Sequence, residues 1–262
     1  MRNFRWCSLL VFLAFPCLGA HLNYEFDSEH DAKYVFSAKG INEAGQKAVQ
    51  TADQYIQELG DAKSPYARDF FRSSFEHGVD TQEYDLVEAY RTELILKEVH
   101  QNLEDQHPGK TLRAPSWIWN NVGGIWGRLQ ILYCSPTEYI ALFGTQLPQQ
   151  GFSGTYRFMD VWDVMLTGKM HSYSADPSVA FPVSYLPGDA SLLRKTESRH
   201  YDMDRFSYMV DYGRGIIPAS FYRGIIAPFL FSSHDSYSLR KQLGDCGYSV
   251  LSNWGRAISG RG

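Results

Sequence analysis

Arg128-Leu129-Gln130-Ile131-Leu132-Tyr133-Cys134 is followed by Ser135-Pro136-Thr137 and then by Glu138-Tyr139-Ile140-Ala141-Leu142-Phe143-Gly144-Thr145. The first run predicts a strand over 128–134. The second is an apolar stretch over 138–143, closed by Gly144-Thr145. Upstream, Trp117-Ile118-Trp119-Asn120-Asn121-Val122 is aromatic and then broken by Gly123-Gly124. Downstream, short apolar runs recur between Gly, Pro and polar turns to about residue 215. That spacing predicts a compact β-barrel or sandwich.

The flanks have a different texture. Residues 42–59 carry few helix breakers, 61–65 read as a turn, and 69–102 predict a helix with Leu86, Tyr90, Leu94 and Val99 near a 3.6-residue period. His107-Pro108-Gly109-Lys110 should stop it. Residues 21 to about 45 read as an irregular polar lead-in. At the start, Arg2 and Arg5 precede an apolar run and then Pro16-Cys17-Leu18-Gly19-Ala20, the layout of a secretory signal. That run would make roughly 22 Å of helix, short against a bilayer core of about 30 Å. A targeting signal or short anchor is the expectation. At the other end, 220–231 is almost wholly apolar apart from Arg223, and 235–252 is amphipathic. Two helices lying on a membrane face, or covering a barrel mouth, have this pattern.

Composition narrows the function. The 262 residues carry 25 Lys+Arg against 29 Asp+Glu, a net charge of -4, which argues against a general nucleic-acid binder. Aromatics are 15%, enough to line a large apolar cavity or a membrane interface. Four Cys are too few for a disulfide scaffold, and nothing requires Cys134 and Cys246 to pair. No HExxH, GxSxG, Walker or GxGxxG pattern occurs, so no metal or cofactor is expected.

Three carboxylates sit among apolar and aromatic neighbours: Asp160 and Asp163 in 160–166, and Asp211 in Val210-Asp211-Tyr212-Gly213-Arg214-Gly215. A carboxyl buried there has a raised pKa and a pair can share one proton, which acid/base work near neutral pH requires. The alternative for each is a turn cap or an ion pair, and Asp211 with Arg214 could form such a pair. Tyr139 could hydrogen-bond one of the acids, or pack in the core with its hydroxyl at the rim.

These blocks resemble one family. His107-Pro108-Gly109, Asn121-Val122-Gly123-Gly124, residues 135–145, Gly151-Phe152-Ser153-Gly154, Leu166-Thr167-Gly168, Pro187-Gly188-Asp189, residues 211–218 and Phe231-Ser232-Ser233-His234-Asp235 stand in the order of the C-8 (delta8-delta7) sterol isomerase and sigma non-opioid intracellular receptor family. The resemblance covers about 95–245, with 21 to about 90 outside it. It implies an α+β chain: a cupin-like β-barrel over 106–219, a signal or anchor over 1–20, a polar and helical lead-in over 21–105, and two membrane-associated helices over 220–262. It implies an endoplasmic reticulum membrane protein, a homotrimer, and a sterol or amphiphilic amine as ligand.

Carried over block by block, Asp211 and Asp163 match the family's two cavity carboxylates. Tyr139 matches the tyrosine that orients the first, and Phe143 a cavity aromatic. Glu138, Tyr208 and Met203 are further candidates for ligand contact. The family usually has Glu where Asp211 stands, which shortens the reach by roughly 1.5 Å. One extra residue between Arg157 and Asp160 keeps Asp160 beside Asp163 as a candidate partner acid. The implied reaction shifts a sterol B-ring double bond from C8=C9 to C8=C7, with protonation at C9 and proton loss from C7. The alternative is a receptor-like protein that binds amines or sterols without turnover.

Overall fold

The computed structural model describes residues 34–61, 83–176 and 181–259. The expected signal over 1–20, most of the lead-in before residue 34 and the expected turn and helix start between 62 and 82 lie outside the described residues.

Two long helices precede the strands: α1 (Ala38–Asp61) and α2 (Glu83–Gln106). In α1, Ile41, Ala44, Ala48 and Ala52 recur three or four residues apart and are buried, forming one narrow apolar stripe. In α2, Ile95, Leu96, Val99 and Leu103 do the same. The helix ends before His107-Pro108-Gly109, where Gly109 takes φ +74. Residues 38–45, read as irregular lead-in, are helical; their alanines and isoleucine acquire the helix by packing on the sheet.

Ten strands follow: β1 (Trp117–Val122), β2 (Ile125–Cys134), β3 (Glu138–Thr145), β4 (Gln149–Phe152), β5 (Met159–Thr167), β6 (Met170–Ser174), β7 (Val183–Tyr185), β8 (Ala190–Leu193), β9 (Arg199–Met203) and β10 (Ser207–Gly215). They form a six-stranded sheet, β1-β2-β3-β10-β5-β8, and a four-stranded sheet, β4-β9-β6-β7. Every described pairing is antiparallel. The expected closed barrel is therefore two facing sheets, because no ladder joins their edges among the described residues.

The large sheet has two buried faces. Its outer face packs Leu132, Tyr133, Ile140, Leu142, Val164, Leu166, Tyr208, Val210 and Tyr212 against α1 and α2. Its inner face packs Leu129, Ile131, Ala141, Phe143, Met165 and Met209 against Met170, Tyr201 and Met203 of the small sheet. A strand's period of two decides which residue goes where. The β1–β2 turn uses Gly123 and Gly124 at φ +60 and +88, the left-handed pair a two-residue hairpin needs.

One irregularity resets the phase. The β2–β3 register shifts between Ile131 and Tyr133, so Leu132 and Tyr133 both face outward and Cys134 turns inward. After the strands come α3 (Ile217–Phe221), two π-helical turns (Tyr222–Ile226 and Phe229–Ser233) and α4 (Ser236–Ser259). The expected first C-terminal helix is thus one continuous helical run over 217–233, with Pro228 inside it at the start of its second π turn, and it ends where His234 turns left-handed. Cys246 of α4 forms a disulfide with Cys134, with Cα atoms 5.1 Å apart. No helix among the described residues is long and apolar enough to cross a membrane.

Candidate active site

Antiparallel pairing brings the acids together. Asp211 of β10 stands directly opposite Asp163 of β5 and Ala141 of β3, on the inner face. Residues so paired have Cα atoms about 4.5–5.5 Å apart. Tyr139 lies two residues along β3, opposite Gly213. A Cβ at Gly213 would come within 2.2 Å of the Tyr139 ring, so the glycine leaves the space that ring occupies. The ring passes over β10 and its Oη donates to Asp211 Oδ1 at 2.8 Å.

The cavity between the sheets has two lobes. The outer, about 600 Å³, is bounded by Ile131, Cys134 and Ala141 below and by Ile217, Phe221, Ile225 and Cys246 of the C-terminal segments above. The inner, about 530 Å³, is bounded by Phe143, Val161, Met170, Leu193, Met203 and Met209, with Asp163 and Tyr201. Tyr139, Tyr156 and Asp211 border both. The apolar lining suits a mostly hydrocarbon ligand.

Burial dominates the electrostatics. It raises the Asp211 carboxyl to about 7, partly offset by the Tyr139 hydrogen bond. Asp163 is raised well above the usual carboxylate range, first by burial and then by the Asp211 charge, with Arg199 opposing. Among the described residues no side chain hydrogen-bonds to Asp163. Tyr139 is held protonated by burial and by Asp211, and burial pushes Tyr156 up to about 12. The pair therefore holds one shared proton over a wide range, with the first negative charge on Asp211, where a donor waits.

Asp163, Asp211, Tyr139, Phe143 and Met203 all border the cavity. Three other candidates do not. Glu138 lies on the outer face, where Oε1 accepts from Val35 N at 2.7 Å and Oε2 from Phe36 N at 3.3 Å. Tyr208 is packed against the helices, and its hydroxyl accepts from Arg128 Nε at 3.0 Å. Asp160 accepts from Lys195 N at 2.7 Å near Arg214 and Tyr34, away from the cavity. All three are an odd number of residues from an inward-facing neighbour on the same strand, so pleating turns them outward. The suggested Asp211–Arg214 pair fails for the same reason: the Arg214 guanidinium stacks 4.0 Å over Tyr34. Tyr156 and Tyr201 also border the cavity, and neither stands among the sequence candidates. Tyr156 sits in a loop without periodicity, but its Ser153-Gly154-Thr155 approach signalled a turn. Among the described residues no group of three or more His, Cys, Asp or Glu could hold a metal ion.

Comparison with known proteins adds the following. The model of the ERG2 and Sigma1 receptor like protein family matches residues 71–256. This begins further upstream than the resemblance read over 95–245. The chain is 27% identical over 222 residues to the C-8 sterol isomerase erg2 of Aspergillus fumigatus, covering 84% of this chain and 75% of that protein. It is 30% identical over 149 residues to the sigma non-opioid intracellular receptor 1 of Gallus gallus, covering 56% and 65%. With the protein erg2 homolog of Dictyostelium discoideum the identity is 33% over 135 residues, covering 52% and 54%. The chain thus spans from about half to three quarters of these relatives' own length. Among solved structures, KdgF from Halomonas sp. is similar at a TM-score of 0.32 and 14% identity, covering 38% of this chain and 87% of that one. A cupin superfamily protein from Desulfitobacterium hafniense is similar at 0.27 and 15%, covering 34% and 75%.

Proposed function

The chain belongs to the ERG2 and Sigma1 receptor like protein family, and from that premise we propose that it is a C-8 sterol isomerase of the endoplasmic reticulum membrane. The observation that carries this reading is the facing pair Asp163, buried, and Asp211, partly buried at the cavity wall, both raised above the usual carboxylate range and differing in donors. An intramolecular double-bond shift needs one proton delivered and one removed, and a carboxylic acid beside a carboxylate supplies both.

In the proposed sequence the neutral Asp163 carboxyl donates its proton to C9 of the C8=C9 sterol. The alkene electron pair forms the C9–H bond and leaves a cation at C8. The ionised Asp211 carboxylate stabilises that cation and then takes a proton from C7, and the C7–H electrons form C8=C7. The proton on Asp211 returns to Asp163, its opposite number across the two strands. Tyr139 keeps Asp211 aimed and ionised. Tyr139, Tyr156 and Phe143 bind the ring system, and their faces favour the cation.

The membrane setting is supported by a row of exposed apolar side chains on the C-terminal segments: Tyr222, Phe231, Tyr248, Leu251 and Trp254. Residues 1–20 are proposed to deliver or anchor the chain, and the assembly is proposed to be a homotrimer. A second reading, a receptor-like binder of amines or sterols without turnover, draws on the relatives named as sigma receptors. An ammonium would take the place of the C8 cation beside Asp211.

Complementation of yeast lacking C-8 sterol isomerase, with sterols read by gas chromatography–mass spectrometry, tests the proposal. Appearance of delta7 sterols, lost in Asp211→Asn, is expected. Persistent delta8 sterols with the protein expressed in the reticulum would overturn it in favour of the binder.

A further inference from the structure

The inner lobe is bordered by a tyrosine that the acid/base reading leaves unused. Tyr201 is 7% exposed, borders the inner lobe, and its Oη is shielded from solvent without a hydrogen-bond partner. An unpaired buried hydroxyl is costly, and such groups are rare in native interiors. The outer-face tyrosines differ: Tyr208 accepts from Arg128, and Tyr212 donates to Phe36 O at 2.8 Å.

The surroundings indicate what the missing partner is. Tyr201 rises from β9 in the small sheet and faces the inner side of β5, within electrostatic reach of Asp163 and Arg199. Ser191, the register partner of Asp163, also has a buried, unpartnered Oγ. Around Tyr201 the wall is hydrocarbon and thioether: Phe143, Val161, Met170, Leu193, Met203 and Met209. A ligand filling this lobe is apolar along its body and carries one small polar group at its inner end. The outer lobe continues the cavity beneath Ile217, Phe221 and Ile225, so the rest of an elongated ligand runs outward past Asp211.

We infer that Tyr201 is a specificity-determining residue, whose hydroxyl hydrogen-bonds the single ring hydroxyl of the ligand and thereby fixes which end enters first. This rests on the sterol reading above and adds an orientation to it: hydroxyl end in the inner lobe, alkyl chain at the mouth. Hydrogen bonding to one hydroxyl would then set which ring carbons lie against the acid pair. A 3-hydroxy delta8 sterol has the required form, and the corresponding 3-deoxy hydrocarbon lacks only the group in question.

The test is equilibrium binding of those two compounds to the detergent-solubilised full chain, for the wild type, Tyr201→Phe and Tyr201→Leu. The wild type should prefer the hydroxylated compound by about tenfold. In Tyr201→Phe the preference should vanish while affinity for the deoxy compound is kept. Tyr201→Leu, which also removes the ring, should weaken both compounds equally. A wild type that binds both equally, or a Tyr201→Phe protein that keeps the tenfold preference, overturns the inference and leaves the sterol reading standing. A wild type that binds neither compound overturns the sterol reading itself, and the inference with it.

Discussion

The two faces of the large sheet each bury carboxyl groups, and they treat them in opposite ways. On the outer face Glu138 receives Val35 N and Phe36 N, has the Tyr212 hydroxyl 3.1 Å from Oε2, and has the Arg214 charge nearby. On the inner face, among the described residues, Asp211 receives one donor, Tyr139, and Asp163 receives none. Burial raises all three. The difference is the number of donors. Glu138 has a backbone N–H on each oxygen and tethers the segment before α1 to the sheet. The aspartates are left hungry for a proton or a cation, which is what a reaction site requires and a structural carboxylate avoids.

This contrast can be broken by substitution. The largest effect is expected on the inner face: Asp211→Asn should lower sterol turnover by about 10²–10⁴-fold, measured as delta7 product per unit of protein. The same variant should alter stability in a pH-dependent way. The folded carboxyl titrates near 7 against 3.8 when free, so between those values the folded chain holds a proton the unfolded chain has lost. Stability due to Asp211 is therefore greatest below about pH 4 and falls as pH rises to 7, by at most about 1.4 kcal/mol per unit. Asp211→Asn should flatten that slope in denaturant titrations from pH 4 to 7.

On the outer face, Glu138→Gln should cost about 1–3 kcal/mol of stability, because one amide nitrogen would then face a backbone N–H that needs an acceptor. Its acid limb of activity should stay near pH 7. An equal shift of that limb in Glu138→Gln and in the Asp211 region would erase the distinction between faces. The smallest effect sharpens it: Tyr139→Phe removes the one donor to Asp211, raises that carboxyl further, and should move the acid limb of kcat/KM up by about one pH unit. An unmoved limb would show that Tyr139 only packs.

Much of the fold was legible because local pattern and tertiary contact agree. Residues 128–134 and 138–143 read as apolar runs and are β2 and β3; His107-Pro108-Gly109 ends α2 where expected. Placing side chains on faces was harder. Asp160, Glu138 and Tyr208 have the sequence neighbours of site residues, yet each lies one or three residues from an inward group, which pleating sends outward. Strict alternation would have separated them, had the strand phase been certain. At Leu132 it is not: the bulge puts two successive side chains on one face, with no glycine or proline to announce it. Tyr201 sits in a strand of five residues, too short to show a period. The bond between Cys134 and Cys246 joins positions 112 apart, and no local rule connects them.

That bond has a use as a gauge of assembly. Cys134 reaches α4 only because the extra residue at 132 has turned it inward. A β2 strand slipped by one residue would present the thiol to the α1–α2 side, beyond the reach of Cys246. The cross-linked peptide, recovered after digestion without reductant, therefore counts molecules whose second and third strands have zipped in correct alignment. It does so for newly made chains, before any ligand or activity is available to report.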